Sequence, residues 1–141
     1  MAKNKTYELF EHTADIGLRV KARTLKALFI NSALAAFDII AEKKPSKSNP
    51  KKTLSIRLKA DNPEELFVNW LNELFSLSAV KELIFTGFDI KKITGNSLEA
   101  EGLGMDIKYF KVNTEIKAAT YHKLKLKKGK SGWSAEVIFD V

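Results

Sequence analysis

The chain has 141 residues, 45% of them apolar and 29% charged, a balance expected of one soluble globular domain spanning residues 1–141. It contains no cysteine, which excludes disulfides and thiolate metal sites, so any metal must be held by oxygen or imidazole donors. The formal charge is +7, and the excess is lysine in two clusters: Lys43, Lys44, Lys47, Lys51 and Lys52, and Lys123, Lys125, Lys127, Lys128 and Lys130. These clusters are compatible with an anionic partner such as RNA, and equally with solvated loops and a lysine-guarded hairpin.

No run is long enough to span a membrane, and the first residues show no apolar stretch of signal-peptide type, so the expected location is cytoplasmic. Tyr7 to Phe10 alternates as a first strand. A polar stretch, Glu11-His12-Thr13-Ala14-Asp15, then forms a bend, after which Ile16, Leu18 and Val20 alternate with Gly17, Arg19 and Lys21 as a half-buried strand. Thr24 is placed to cap a helix over Leu25–Ile40, whose stripe is Leu25, Leu28, Phe29, Ser32, Ala33, Ala36, Phe37 and Ile40. Residues 41–52 are polar, carry Pro45 and Pro50, and read as a loop. Leu54, Ile56 and Leu58 alternate again. Asn62 and Pro63 suit an N-cap and a first helical position, and Glu65 stands three residues after the cap. The second helix is expected to reach about Leu77, with Leu66, Phe67, Trp70, Leu71, Leu74 and Phe75 as its apolar face.

The two strand–helix units match at an offset of 38 residues: Lys21 with Lys59, Leu28-Phe29 with Leu66-Phe67, Asn31 with Asn69, Phe37 with Phe75. That register suggests an internal duplication with two equivalent helices side by side. For Asn31 and Asn69 a hydrogen bond to nearby backbone is the expected role. The remainder reads as strands: 82–93 with a bend at Gly87, 97–101, a break at Gly102 and Gly104, a long run over 114–127, a turn at 128–132, and a return over Trp133–Val141. The expected fold class is α+β, a mostly antiparallel sheet with two helices on one face, built from a duplicated strand–helix–strands unit.

No nucleophile elbow, phosphate loop or zinc spacing is present. The best constellation is Asp15, Asp140 and the carboxylate of Val141, because hard divalent cations select oxygen donors and offset carboxylate repulsion. Two readings stand side by side for these residues: metal ligands, or a turn-capping Asp15 and a solvated strand end at Asp140. His12 is open in the same way, as ligand, as base beside Asp15, or as a backbone partner. The run Glu115 to His122 sets Glu115, Lys117, Ala119 and Tyr121 on one sheet face and Ile116, Ala118, Thr120 and His122 on the other.

Tyr7-Glu8 followed by Glu11-His12-Thr13-Ala14-Asp15-Ile16-Gly17-Leu18, then Trp70-Leu71-Asn72-Glu73-Leu74, then Ile116-Lys117-Ala118-Ala119-Thr120-Tyr121-His122, then Phe139-Asp140-Val141, resembles the archease family over nearly the whole chain. The resemblance implies a non-catalytic activator of an RtcB-type RNA ligase in tRNA splicing and RNA repair, which promotes ligase guanylylation and turnover. It implies a divalent metal, seen as calcium in the family, with magnesium or manganese as alternatives, bound by Asp15, Asp140 and the terminal carboxylate of Val141. His12, Lys117 and His122 become candidate contacts to the partner or its nucleotide. tRNA, met through the lysine clusters, is a second candidate partner. An RNA-binding or chaperone-like modulator of RNA-processing enzymes is the alternative function. One departure stands out: where the family carries Gly-Glu-x-x-Asp-x-x-x-His, this chain has Leu103 and Phe110 in place of the carboxylate and the imidazole.

Overall fold

The computed structural model describes residues 7–12, 15–46 and 50–141, with 10–12 by backbone only. Nine strands and two α-helices are found among these residues, with one 3-10 helix at Ile107–Tyr109. They are β1 (Tyr7–His12), β2 (Asp15–Ala22), α1 (Leu25–Ile40), β3 (Ala41–Lys43), β4 (Lys51–Lys59), α2 (Pro63–Lys81), β5 (Leu83–Ile93), β6 (Ser97–Asp106), β7 (Phe110–Val112), β8 (Ala118–Gly129) and β9 (Gly132–Asp140). The class is α+β with antiparallel ladders throughout, in the orders β1-β2-β9-β8, β3-β7 and β4-β6-β5.

Both helices begin where local chemistry dictates. The Thr24 hydroxyl accepts from the Ala27 amide at 3.0 Å, and Asn62 Oδ1 accepts from the Glu65 amide at 2.8 Å. Each bond satisfies a donor that the first helical turn leaves without an intrahelical partner. Glu65 reaches back one residue beyond the cap, to the Asp61 amide at 3.4 Å. α2 runs four residues past the expected Leu77, because nothing before Glu82 stops it. Glu82, at φ 52°, takes the left-handed conformation that ends it.

Residues matched by the duplication touch one another. Phe29 meets Phe67 at 5.3 Å between ring centroids and Phe37 meets Phe75 at 5.8 Å, so the helices run side by side in the same direction. Trp70 seals this seam, donating its indole N–H to the Phe29 carbonyl at 2.9 Å. Behind the seam stand Phe85 and Phe88 of β5 and Phe139 of β9, which touch Phe37, Trp70 and Phe75 respectively. Both larger ladders therefore back onto one helix pair.

Three expectations are corrected. The polar stretch over 41–52 is not all loop: Ala41–Lys43 pairs with Phe110–Val112, and Lys51 and Lys52 already pair with Met105 and Gly104; Lys47 lies outside the described residues. Gly102 and Gly104 are not a break but lie inside β6. A Cβ at Gly102 would come within 2.6 Å of the Phe85 ring, and one at Gly104 within 2.7 Å of Leu83, so these glycines make room for the large side chains of the neighbouring strand. The run over 114–127 does not begin as a strand. Residues 113–117 are irregular, held by Asn113 and Thr114 amides donating to the Ile40 carbonyl. Ile116 and Ala119 are both buried, so the expected alternation of faces across this stretch is lost.

Candidate metal centre at the meeting of the two chain ends

The four-stranded ladder has a helix-facing side, carrying Leu18, Val20, Val137 and Phe139 in the core, and an outer side. Opposed residues of antiparallel strands share a face, so the outer side can be read in rows. One row is Glu8, Arg19, Glu136 and Lys125. Here the charges neutralise one another: Arg19 hydrogen-bonds Glu136, also meeting Glu8 at 3.5 Å, and Lys125 meets Glu136 at 3.5 Å. The Arg19 hydrogen bond is the main reason the Glu136 carboxyl is held below its ordinary range.

Two rows further on, the turn-side ends of β1 and β2 meet the end of β9. β1 pairs His12 with Asp15, and β2 pairs Ile16 with Phe139. One more step of that register opposes Asp15 to Asp140. On the other side Asp140 opposes Ala118, and the Lys117 amide donates to the Asp140 carbonyl at 2.8 Å. The Val141 side chain packs on the core. Asp15 is half-buried and Asp140 exposed, and among the described residues neither carboxylate is engaged in a hydrogen bond or ion pair. Two carboxylates on opposed positions have Cβ atoms about 5 Å apart and repel each other unless a cation lies between them. That donor set, all hard oxygen, fits a divalent ion of the calcium or magnesium kind. Among the described residues no three His, Cys, Asp or Glu side chains form a metal-holding group.

The other candidates separate. The side chain of His12 and the Thr13-Ala14 bend lie outside the described residues. Lys117 is exposed beside Asp140. His122 lies four residues beyond Ala118, within the stretch between Thr120 and Lys125 where the β8–β9 register shifts, and so does not share the Asp15–Asp140 row. Lys123 in that bulge has φ 53°. Asn31 and Asn69 make no backbone hydrogen bond among the described residues. That role falls to Asn72, whose side chain donates to the Ala119 carbonyl at 3.1 Å and accepts from the Ala119 amide at 2.7 Å. It ties α2 to the start of β8, beside Asp140. The only sequence signal for it was its place in Trp70-Leu71-Asn72-Glu73-Leu74.

Elsewhere lies a cleft of about 650 Å³ bounded by Asn31, Phe37, Asp38, Phe85, Phe110 and Tyr7. At its edge the Tyr7 hydroxyl donates to Asp38 at 2.5 Å. Burial, then the Asp38 hydrogen bond and charge, pushes the Tyr7 phenol up to about 12 from 10.0. The folded state thus holds this proton where the unfolded chain releases it. The contribution is complete below pH 10 and is lost as pH rises from 10 towards 12. Thermal melts across that window should show a shallower alkaline fall for Tyr7→Phe than for the unaltered protein.

The architecture defines a class, a small α+β protein with two co-directional helices backed by antiparallel ladders. The sequence profile of the Archease protein family (MTH1598/TM1083) matches residues 7–141, and the chain belongs to that family. It is 36% identical to Protein archease of Methanosarcina barkeri, over 99% of both chains, and 32% identical to Protein archease of Pyrococcus abyssi, over 97% and 99%. In structure it is similar to protein 1598 of Methanobacterium thermoautotrophicum, with a TM-score of 0.71 at 25% identity over 97% and 99% of the chains. It also shares the fold of a Thermotoga maritima protein described as an archease and possible chaperone, with a TM-score of 0.66 at 22% identity over 95% and 96%. Among the described residues no helix is long and apolar enough to cross a membrane.

Proposed function

We propose that this chain is a non-catalytic activator of an RtcB-type RNA ligase, acting in tRNA splicing and RNA repair by promoting guanylylation and turnover of the ligase. Membership of the archease family supports the reading, and the pairing of Ile16 with Phe139, which brings Asp15 to the end of β9 beside Asp140, carries it. A divalent ion held by Asp15, Asp140 and the carboxylate of Val141 would supply positive charge and open coordination positions for oxygens of a partner or a phosphate. The chain's own residues do the positioning. The bond from the Lys117 amide to Asp140 and the packing of Val141 on the core hold the end of β9 in place. Asn72 fixes the strand beside it. Lys117 and His12 are proposed to meet the ligase or its nucleotide, with His122 as a more distant contact.

Two measurements test this. Calcium at about a hundred times its dissociation constant should stabilise the protein by about 2.7 kcal/mol over EDTA, and Asp140→Asn should abolish that shift. Ligase guanylylation should lose its stimulation with Asp15→Ala or Asp140→Ala. Full stimulation by both variants would sink the proposal.

A further inference from the structure

The outer side of the four-stranded ladder holds a second row that differs from the neutralised one in a single respect. In the Arg19–Glu136–Lys125 row a carboxylate stands between two cations. Two residues along each strand, Lys21 and Lys127 both oppose Ser134. A hydroxyl now stands where the carboxylate stood. The two lysines lie on either side of one strand, with their backbones about 10 Å apart. Both are exposed, Ser134 is half-buried, and among the described residues neither lysine has an acidic partner. Arg23 and Lys130, also exposed, border the row at the hairpin tip, where Gly132 packs against the backbone of Ala22 and Arg23.

We infer that the Lys21–Ser134–Lys127 row is a phosphate-binding row for the backbone of single-stranded RNA. Two lysines on flexible four-carbon stems flank a hydroxyl-bearing residue in one row, and among the described residues neither is paired with an acid. A phosphodiester supplies the charge that Glu136 supplies next door. The row recognises backbone and reads no bases, since no exposed aromatic side chain interleaves with it; Trp133 lies on the opposite side, under Lys128. The inference makes no use of Asp15 or Asp140 and needs no ligase, so it and the function proposed above can fail separately.

The experiment is fluorescence anisotropy of a fluorescein-labelled, mixed-sequence single-stranded RNA, with no ligase present, over rising KCl. The variants are Lys21→Ser with Lys127→Ser, Ser134→Glu, and Lys51→Ser with Lys52→Ser. The third removes the same two charges from exposed positions of a different ladder. The first double variant should weaken binding roughly tenfold at low salt and lower the salt slope by about 1.4, the value for two lost phosphate contacts. Ser134→Glu should also weaken binding by converting the row into a neutralised one. Lys51→Ser with Lys52→Ser should change affinity less than about twofold. Equal losses from both double variants would mean that binding follows net charge alone, which overturns the assignment, as does an absence of RNA binding by the unaltered protein. Displacement of the RNA by polyglutamate as effectively, per charge, as by unlabelled RNA would assign the row to an acidic protein surface and overturn it too.

Discussion

Trp70→Ala should cost the protein about 3–5 kcal/mol of stability, the largest loss expected from any single truncation in this core. Trp70 has no exposed surface and occupies the seam where the duplicated helices meet. It lies 6.3 Å from Phe29 and 5.3 Å from Phe88, so its removal opens space between α1, α2 and β5 at once. It also removes the one indole donor that ties α2 to the Phe29 carbonyl of α1. For domains whose total stability is about 5–15 kcal/mol, such a loss moves a protein close to unfolding at growth temperature. Trp70→Phe separates the two contributions: it keeps most of the ring volume and drops the hydrogen bond, for a loss nearer 1–2 kcal/mol. Urea denaturation of both variants measures this. A loss under about 1 kcal/mol for Trp70→Ala would show that the helix seam does not concentrate the stability of the fold.

Gly132→Ala is the second large effect, on the order of 3 kcal/mol, and its cause is backbone geometry. The β8–β9 hairpin closes through the Gly129–Gly132 pair with Lys130 and Ser131 between them. Two-residue hairpins favour mirror-image turns that need positive φ within the turn. Neither Lys130 nor Ser131 has it, and the reversal is absorbed at Gly132, with φ 141°. A Cβ there would lie 2.3 Å from the Ala22 carbonyl oxygen and 2.9 Å from the Arg23 Cα. Those are backbone atoms of the neighbouring strand, so they cannot rotate away. Relief requires β2 and β9 to separate at their last pair, Ala22 with Trp133. Gly129→Ala is the matched control. Its added carbon would meet its nearest neighbour at an ordinary 3.8 Å, so the loss should stay within about 1 kcal/mol. Equal losses at the two glycines, read from thermal or urea melts, would refute this account.

The two helices were legible because their signals are local. Thr24 and Asn62 cap within three residues, and the apolar stripes of α1 and α2 name most of the residues that are buried, missing Ala35 and Val68 and including the part-buried Leu25. The offset of 38 residues foretold that Phe29 and Phe37 would have counterparts, though not that the counterparts would touch. The misreadings share a cause. Gly102 and Gly104 looked like a break because the rings and methyls that require them, on Phe85 and Leu83, belong to another strand. The stretch over 113–117 alternates in sequence, yet its amides are claimed by the Ile40 carbonyl at the end of α1. Asn72 carried no chemical signature of its own, since its partner is the backbone of a strand far along the chain.

Taken alone, the order of residues determined the two helices, most of the strands and most of their buried faces, and that only oxygen or imidazole could hold a metal. Those outcomes depend on periodicity and capping over a few residues. The tertiary structure alone decided that β2 pairs with β9, that Ile16 beside Asp15 opposes Phe139 beside Asp140, and that Ser134 rather than an acid stands between Lys21 and Lys127. Ladder register is a long-range choice. A slip of one residue would turn every side chain of a strand to the other face, and burial of Leu18, Val137 and Phe139 against the helices is what excludes that slip.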